Sequence, residues 1–421
     1  MTTGKMKKLL ILGASIRENV IIRHARKLGI YTIVTDYHED WSLSPAKYAA
    51  DEAWNISWSE IDTLAAKCAE EHISGILAGF SEFRIQRLID LCAATHLPCY
   101  LTSWHLHVTR DKLAFKQLCR EYDVPTVPEF QKDDVLAPTD FPVIVKPVDQ
   151  AGSIGMSVAN NEEELRHSID YALSLSESGN MVIERFCDNS YIKFDVFYVI
   201  HQGVPYLIGT NDTVMCQGKK GYGTLQKAWL FPSIYEKEYM KECEGKVRNM
   251  LCGMNIDYGY ITMSSFYKDH HFWFFECGFR LSGEHSYNFA EEACGINYVD
   301  YLIRRAIGDE VTDFSFHPHN ERIKMVVLNF FGIQGDVSSI QGLEHIGEIP
   351  EVKEVCLYTG EGKEIETPTE ILPKVAMISL FSEDPERLRQ CIDEVNGCFD
   401  IVDAQGNSLI YERTLPEEIL L

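Results

Sequence analysis

The alternation of apolar runs and helical patterns at the start of the chain constrains its fold most. Short apolar runs typical of buried strands recur at Lys8–Leu12, Tyr31–Thr35, Gly75–Ala78 and Cys99–Leu101. Helical patterns separate them, the first ending near Lys27 before Gly29. Because strands that alternate with helices form parallel doubly wound sheets, we predict an α/β chain with a parallel N-terminal domain over residues 1–105.

Polar residues follow the predicted strands, where a sheet of this kind binds its ligand. Ser15, Asp36 and Glu82 each stand at such a strand end. Ser15 and Glu82 are therefore candidate substrate residues, although Glu82 is equally explained as an acid that favours a helix N-terminus. A dinucleotide site would need G-x-G-x-x-G, which the segment from Gly13 to Glu18 lacks.

The centre of the chain carries a lysine at the end of a strand, followed at once by a glycine-containing loop. The strand is Val143–Lys146, and the loop from Asp149 to Met156 includes Gly152, Ser153 and Gly155. Glycines let backbone N–H groups approach an anion, and the lysine adds a compact positive charge. The pattern predicts a phosphate site, with a glycine hairpin beside a surface lysine as the alternative. It is not a P-loop, because the lysine precedes the glycines.

Two further strands end in carboxylates. The strand Met181–Glu184 leads into Arg185, Phe186 and Cys187. Its acid and the backbone that follows could bind an adenine edge, and an ordinary edge strand with a surface ion pair is the alternative.

The strand Phe272–Phe275 ends at Glu276, and Arg280 follows four residues later. A carboxylate suits Mg²⁺, and an arginine beside it can stabilise a transferring phosphoryl group. A structural ion pair at the strand exit is the alternative.

Composition narrows the class of partner. Lys and Arg number 39 against 63 Asp and Glu, a net charge of -24, which argues against a general nucleic-acid or anionic-membrane binder. The 13 cysteines contain no C-x-x-C pair, and no apolar run approaches the ~20 residues that span a bilayer. We expect a cytoplasmic protein whose ligands are small molecules.

Taken in order, and with Asp111-Lys112 ahead of them, these segments resemble the ATP-grasp superfamily in its carboxylate–amine ligase branch. That branch includes enzymes similar to biotin carboxylase, carbamoyl phosphate synthase, purine-biosynthetic ligases and L-amino acid ligases. The resemblance implies a two-lobed ATP-grasp domain over 106–312, with its lobes divided near 184–190. A small β-rich C-terminal α+β domain over 313–421 would complete the chain.

The resemblance also implies residue roles in ATP binding. Lys112 and Lys146 would contact the phosphates, and the loop Gly152–Met156 would close over them. The segment Glu184–Cys187 would hold adenine between the lobes.

Further implied roles concern the reaction. Glu276 would ligate Mg²⁺, with Mn²⁺ as an alternative ion, and Arg280 would face an acyl phosphate. Glu82 and His285 would line the substrate site. ATP would phosphorylate a small-molecule carboxylate and an amine would displace the phosphate, forming an amide-type bond with release of ADP and phosphate. Homodimers are common in the family.

The chain departs from the family pattern at the metal site. The positions expected to carry a second acid and an asparagine hold Met263 or Ser264 and Gly278. Either another acid, such as Glu284 or Asp195, supplies the missing ligand, or the metal is held by Glu276 and the ATP phosphates. The remaining alternative is a degenerate ATP-grasp protein that binds ATP or a small ligand without turnover.

Overall fold

A computed structural model describes residues 6–132, 134–150, 154–217, 225–367 and 371–421. Within those ranges no helix is both long and apolar enough to cross a bilayer. The N-terminal part is a parallel sheet of order β3-β2-β1-β4, built from β1 (Lys8–Leu12), β2 (Tyr31–Thr35), β3 (Glu52–Trp54) and β4 (Gly75–Ala78). Its helices are α1 (Asn19–Lys27), α2 (Ile61–Glu70) and α3 (Ile85–Thr95). The parallel N-terminal sheet is thereby confirmed.

A helical pair connects this sheet to the rest of the chain. It consists of α4 (Ser103–Arg110) and α5 (Lys112–Glu121). The prediction of a strand at Cys99–Leu101 is wrong, because Pro98 precedes this segment and Thr102 caps α4 directly after it. The carboxylate of Asp111 caps α5 by accepting hydrogen bonds from the N–H groups of Leu113 and Ala114, both at 2.9 Å. Lys112 therefore lies in the first turn of α5.

The next unit is a four-stranded antiparallel sheet of order β5-β8-β6-β7, with one helix packed on it. Its elements are β5 (Glu129–Phe130), β6 (Val143–Pro147), β7 (Ser157–Ala159), α6 (Glu162–Leu175) and β8 (Met181–Arg185). Val143 and Val145 in β6 are fully buried against α6. Because side chains alternate along a strand, Lys146 points to the opposite face of this sheet.

A large sheet dominates the rest of the molecule. Its first strands are β9 (Ile192–His201), β10 (Val204–Met215), β11 (Gln226–Phe231), β12 (Tyr258–Lys268) and β13 (His271–Gly278). The helices in this part are α7 (Glu236–Glu242), α8 (Glu244–Gly253), α9 (Tyr287–Cys294) and α10 (Tyr298–Ala306). The sequence predicts two hairpins here, one from Phe194 to Gly209 with a turn at Gln202-Gly203 and one that pairs Tyr260–Tyr267 with Phe272–Phe275, and β9–β10 and β12–β13 confirm them.

The C-terminal part continues the same sheet. Its strands are β14 (Lys324–Phe331), β15 (Gly335–Asp336), β16 (Ser339–Gln341), β17 (Val352–Leu357), β18 (Glu364–Ile365), β19 (Lys374–Ser382) and β20 (Asp400–Val402). Its helices are α11 (Leu343–Glu348) and α12 (Pro385–Cys398). The eight-stranded order is β13-β12-β9-β10-β11-β14-β19-β17, with Ala228 of β11 opposite Leu328 of β14. One sheet thus crosses the predicted boundary at residue 312, and the domain limits remain a prediction.

Candidate active site

A buried ion-pair cluster fixes the strand lysine. The Glu184 carboxylate on β8, which is 2% exposed, lies 2.5 Å from Lys146 Nζ and 2.6 Å from Lys116 Nζ. Burial alone would raise the pKa of Glu184, but the charges of Lys146 and Lys116 outweigh it and hold that pKa below its usual value. Both carboxylate oxygens of Glu184 face ammonium groups, and its contact with adenine remains a prediction. Its role in the structure is to hold Lys146 in position.

The second predicted phosphate ligand lies beside the first. Lys112 Nζ donates to the carbonyl oxygen of Gln150 at 2.7 Å, at the start of the glycine loop. Burial and the neighbouring charge of Lys146 both lower the pKa of Lys112. Two ammonium groups that repel each other at the mouth of a loop are an arrangement that an anion stabilises.

The glycine loop is described in part. Gly152 and Ser153 lie outside the described residues. Gly155 has a φ of +75°, and a Cβ there would come 2.6 Å from Cγ of Pro147, so only glycine fits this position. Met156 follows it and leads into β7.

The connection between the two sheets carries a backbone donor within the predicted adenine segment. The N–H of Arg185 donates to the carbonyl of Pro128 at 3.0 Å, and the N–H of Phe186 donates to that of Pro142 at 3.1 Å. In the described part of the chain, the N–H of Cys187 has no protein acceptor. Of the predicted adenine segment, Cys187 is thus the residue whose N–H remains available to a ligand.

Four polar side chains form a row across neighbouring strands of the large sheet. Glu276 of β13 is in register with Ser264 of β12, Ser264 with Asp195 of β9, and Asp195 with Asn211 of β10. Residues directly opposite each other on paired strands share one face of the sheet. Glu276 is exposed, whereas Asp195 and Asn211 are buried, so the row runs from the surface into the interior.

The buried half of this row is unsatisfied. Among the described residues, neither carboxylate oxygen of Asp195 has a hydrogen-bond partner, and neither does the amide of Asn211. Burial raises the pKa of Asp195, and the charge of Lys193, whose Nζ lies 3.5 Å away, only partly offsets this. Unpartnered buried groups of this kind are costly unless a ligand or ion completes them.

These residues fit a divalent cation. Neighbouring strands lie about 4.8 Å apart, so the Cα atoms of Asp195 and Glu276 are about 10 Å apart. The small side chain of Ser264 between them leaves room for a hydrated ion, and Mg²⁺ keeps several of its waters. The family pattern places an acid at the position that Ser264 occupies in this chain. Asp195, on the adjacent strand and in register with Ser264, would supply that carboxylate instead.

The predicted catalytic and substrate residues Arg280 and Glu82 contact each other. Nε of Arg280 donates to a Glu82 carboxylate oxygen at 2.5 Å. Burial would lower the pKa of Arg280, but the adjacent Glu82 raises it further, so the guanidinium stays charged. This ion pair joins the loop after β4 to the loop after β13.

His285 also lies deep in the site. Its backbone has a φ of 53°, which is uncommon for a residue other than glycine, and its side chain is 2% exposed. Its Nδ1 lies 2.9 Å from the carboxylate of Glu354 on β17. Glu354 also accepts hydrogen bonds from Arg23 at 2.5 Å, Tyr287 at 2.9 Å and Asn288 at 2.8 Å. With its lone pairs occupied, Glu354 is unsuited to hold a metal ion together with His285 and the nearby Cys356.

The third predicted substrate residue, Ser15, contacts Glu18 instead of the cavity. Its hydroxyl donates to the Glu18 carboxylate at 2.6 Å, and it does not line the cavity described next. The structure instead brings Arg17, two residues further on, to that cavity.

A cavity of about 200 Å³ lies beside His285. Its lining combines aromatic and charged side chains from the N-terminal part, the large sheet and the C-terminal part, namely Arg17, Phe80, Trp229, Glu284, His285, Tyr358 and Lys374, together with Gly283. Of these, the sequence alone predicts a role for His285 as a substrate residue and for Glu284 as a substitute acid. The others carry no local motif, and only the fold assembles them.

The chain is similar in sequence to several known proteins. The family described as “D-ala D-ala ligase C-terminus” matches residues 112–202. A pyruvate carboxylase of Aspergillus niger is 25% identical over 341 residues, covering 72% of this chain and 27% of the relative. The 2-oxoglutarate carboxylase small subunit of Hydrogenobacter thermophilus is 24% identical over 335 residues, covering 72% and 67%. A formate-dependent phosphoribosylglycinamide formyltransferase of Francisella tularensis is 24% identical over 202 residues, covering 44% and 49%. This chain therefore spans well under two thirds of the first and third of these relatives.

Solved structures share the whole architecture. An L-amino acid ligase from Bacillus licheniformis has a TM-score of 0.76 at 18% identity, covering 95% of this chain and 100% of its own. A phosphoribosylglycinamide synthetase from Anaerococcus prevotii has a TM-score of 0.73 at 18% identity, with the same coverage. The biotin carboxylase domain of Hydrogenobacter thermophilus 2-oxoglutarate carboxylase, a dimer in complex with MgADP, ADP and bicarbonate, has a TM-score of 0.73 at 19% identity, covering 94% and 91%.

The fold, with its lysine-bearing strand and the antiparallel sheet that follows, is that of the ATP-grasp ligases compared above. The family match over residues 112–202 makes this chain similar in sequence as well to ATP-grasp carboxylate–amine ligases. The predictions of family and fold class from the sequence are confirmed, while the roles of individual site residues remain proposals.

Proposed function

We propose that the protein is an ATP-dependent carboxylate–amine ligase. ATP phosphorylates a small-molecule carboxylate, and an amine displaces phosphate from the acyl phosphate to form an amide-type bond. The observation that carries this proposal is the row of Glu276, Ser264, Asp195 and Asn211. Among the described residues Asp195 and Asn211 are buried without a hydrogen-bond partner, and Lys193 Nζ lies 3.5 Å from the Asp195 carboxylate. A buried carboxylate with so little compensation is costly unless an ion completes its surroundings.

The nucleotide end of the site is supplied by the two lysines. Lys146, held by Glu184, and Lys112, held on the glycine loop, neutralise phosphate charge. The free N–H of Cys187 donates to the adenine edge. This positions the terminal phosphate over the face of the sheet that carries Glu276 and Asp195.

The reaction end depends on positioning and charge. Asp195 and Glu276 would hold Mg²⁺, which when bound offsets the negative charge of the transferring phosphoryl group. Arg280, kept in place by Glu82, stabilises the charge that develops on the acyl phosphate oxygens. Excluding water from this cleft protects the acyl phosphate from hydrolysis.

The relatives support the class of reaction without giving the substrates. An L-amino acid ligase and a phosphoribosylglycinamide synthetase share the fold, and the fold therefore accommodates different acids and amines. The dimeric biotin carboxylase domain supports a homodimer for this chain as well.

The test measures ADP and phosphate release from ATP and Mg²⁺ with a panel of carboxylates and amines, repeated with Mn²⁺. We expect release that requires both substrates and that Glu276→Ala abolishes, while Glu291→Ala, an exposed acid on α9, leaves it unchanged. If calorimetry shows ATP binding but no metal and no pair of substrates gives turnover, the protein is a binding protein and the ligase proposal is wrong.

A further inference from the structure

We propose that the cavity beside His285 binds the amine substrate, and that this substrate is a small α-amino acid with an apolar side chain, held by its carboxylate. The proposal rests on the ligase function above and names the substrate class of the same site. It is argued from the charges, the walls and the size of the cavity.

Two cations without an anionic partner border the cavity. Arg17 comes from the segment after β1 and stays exposed at the rim, whereas Lys374 begins β19 and lies deeper. In the part of the chain that the structure describes, neither forms a salt bridge. Each lies over an aromatic ring instead: Lys374 Nζ is 4.3 Å from the Trp229 ring centre, and the Arg17 guanidinium is 6.0 Å from that of Tyr358. Such a pair is a ready receptor for a carboxylate.

The lowered pKa of Lys374 favours a ligand with a single negative charge. Burial and the nearby Arg17 lower the pKa of Lys374 to about 7. An anion bound between the two would restore the full charge of Lys374, since a nearby negative charge favours the protonated form. One full and one partial positive charge match a carboxylate better than a doubly charged phosphate.

Glu284 supplies an acceptor for an amine. It lines the same cavity as Lys374, and its Oε2 is buried and has no hydrogen-bond partner among the described residues. Its charge acts on Asp195, Arg280 and Lys374, so it lies near the proposed phosphoryl-transfer residues and near the deeper cation. In the proposed binding mode the ammonium group pairs with Glu284 and the carboxylate of the same molecule pairs with Lys374 and Arg17.

His285 supplies the proton acceptor. Burial would raise the pKa of Glu354, but its hydrogen bond to His285 and the charge of Arg23 keep that pKa well below the usual range. When Glu354 accepts the N–H at Nδ1, Nε2 is the ring nitrogen that can accept a proton. Within the described chain Nε2 has no protein partner, and the ring borders the cavity.

The chemistry balances with these groups. The bound ammonium loses one proton to Nε2 of His285, and the freed lone pair attacks the carbonyl carbon of the acyl phosphate. The C–N bond forms, the C–O bond to the phosphate breaks, and inorganic phosphate leaves. The second proton on nitrogen leaves with the departing phosphate.

Size and walls set the rest of the substrate. At about 200 Å³ the cavity exceeds the space of a few waters but is smaller than typical drug-sized pockets, about 300–1,000 Å³. Phe80, Trp229 and Tyr358 give it apolar walls. A ribose phosphate would find too little room and too few cations, whereas an amino acid with an apolar side chain fits.

The experiment compares amino acids with their amides as amine substrates. With the unaltered protein, ATP, Mg²⁺ and an acid that supports ADP release, we expect apolar amino acids to act and their amides, which lack the carboxylate, to show a KM about tenfold to a hundredfold higher. Equal KM values for acid and amide, or a preference for amines that carry phosphate, would overturn the proposal.

Variants test the same point on the protein. Arg17→Gln and Lys374→Gln should raise the amino acid KM about tenfold or more, remove the preference for acid over amide, and leave ATP affinity unchanged. Lys363→Gln, an exposed lysine in the same part of the chain, is the matched control. Because Arg17 is exposed, its variant should fold even if the deeper substitution does not. An unchanged KM in folded Arg17→Gln would contradict the assignment.

Direct binding separates this inference from the ligase proposal. If no ADP is released with any substrate, the ligase function fails, and calorimetry with leucine and leucinamide still tests the cavity. Binding of leucine that leucinamide does not share, and that Arg17→Gln abolishes, supports the cavity assignment on its own. Absence of leucine binding both with and without ATP overturns it.

Discussion

Glu184 is the residue on which the arrangement of charges depends most. It separates two lysines, of which Lys116 is fully buried. Glu184→Gln would leave the buried Lys116 with Glu129, 3.4 Å away, as its carboxylate partner, so we expect a loss of up to about 3 kcal/mol in the stability of this unit. Thermal unfolding followed by circular dichroism measures this, with Glu163→Gln on exposed α6 as the control. An unchanged unfolding midpoint would show that the charge of Lys116 does not depend on Glu184 for its compensation.

The same carboxylate predicts a pH dependence. Because the folded-state pKa of Glu184 is below its ordinary value of 4.5, its contribution is fully present above that pH and is lost as the pH falls toward the folded-state pKa. The difference in unfolding midpoint between the parent protein and Glu184→Gln should therefore shrink below about pH 4.5. A difference that stays constant from pH 7 to pH 3 would contradict this.

Lys146 carries the next prediction at this scale. Lys146→Ala removes a charged phosphate ligand from a partly buried cleft, so we expect ATP affinity to fall about tenfold to a hundredfold. Isothermal calorimetry with a non-hydrolysable ATP analogue measures it, and Lys132→Ala on an exposed loop serves as control. An unchanged affinity would remove the phosphate site from this loop.

Residue roles differ in how far the sequence could predict them. The nearness of Lys112 to Lys146 follows from local signals, a capped helix start and a strand end. The partnership of Glu184 with Lys116 does not, because Lys116 reads as an ordinary residue of an amphipathic helix. The sequence could not predict that Arg17 and Lys374 border the same cavity, because they come from distant parts of the chain and no spacing relates them.

At the scale of elements, strand register decides the metal site. The sequence predicts β12 and β13 as a hairpin and so finds the gap at Ser264, but β9 pairs with β12 over a long sequence separation. That pairing, which no local pattern contains, puts Asp195 beside the gap. The sequence does not predict the helices α4 and α9, which have only eight residues each and so give a short helical pattern.

Because strand register sets the order of residues in the row, moving the carboxylate from one strand to the next tests the proposed metal site. Asp195→Asn should lower Mg²⁺-dependent turnover by at least about tenfold, because a metal ligand in such a site contributes several kcal/mol. Adding Ser264→Asp moves the carboxylate one strand along the row and should restore part of the activity. Asp170→Asn on α6 is the control. Full activity in Asp195→Asn would show that the row holds no metal.

At the scale of the whole molecule, the ion pair of Glu82 and Arg280 links the N-terminal part to the loop after β13. Glu82→Gln frees Arg280 from its 2.5 Å contact, and a small displacement of the group proposed to stabilise the transferring charge is costly. We expect kcat to fall about tenfold to a hundredfold while ATP affinity is unchanged. Steady-state kinetics and calorimetry measure the two, with Glu70→Gln on α2 as control. Loss of ATP affinity instead would assign the pair to the architecture of the cleft.

The large-scale architecture was predictable to the extent that it repeats local patterns. The parallel N-terminal sheet follows from strand–helix alternation, and the two long hairpins follow from their turns. The joining of β11 to β14 could not be foreseen, because both strands are mostly apolar and such strands can pair with many partners.

The sheet that crosses residue 312 has a consequence for how such proteins exchange parts in evolution. A recombination event at this point would pair β11 with a strand from another protein in place of β14. The apolar edge of β11 would then be poorly matched and prone to aggregation. Crossovers between relatives should therefore be tolerated where β8 leads into β9, between two sheets, and be rare between β11 and β14. The C-terminal part, which also brings Lys374 to the cavity, is inherited together with the strands it completes.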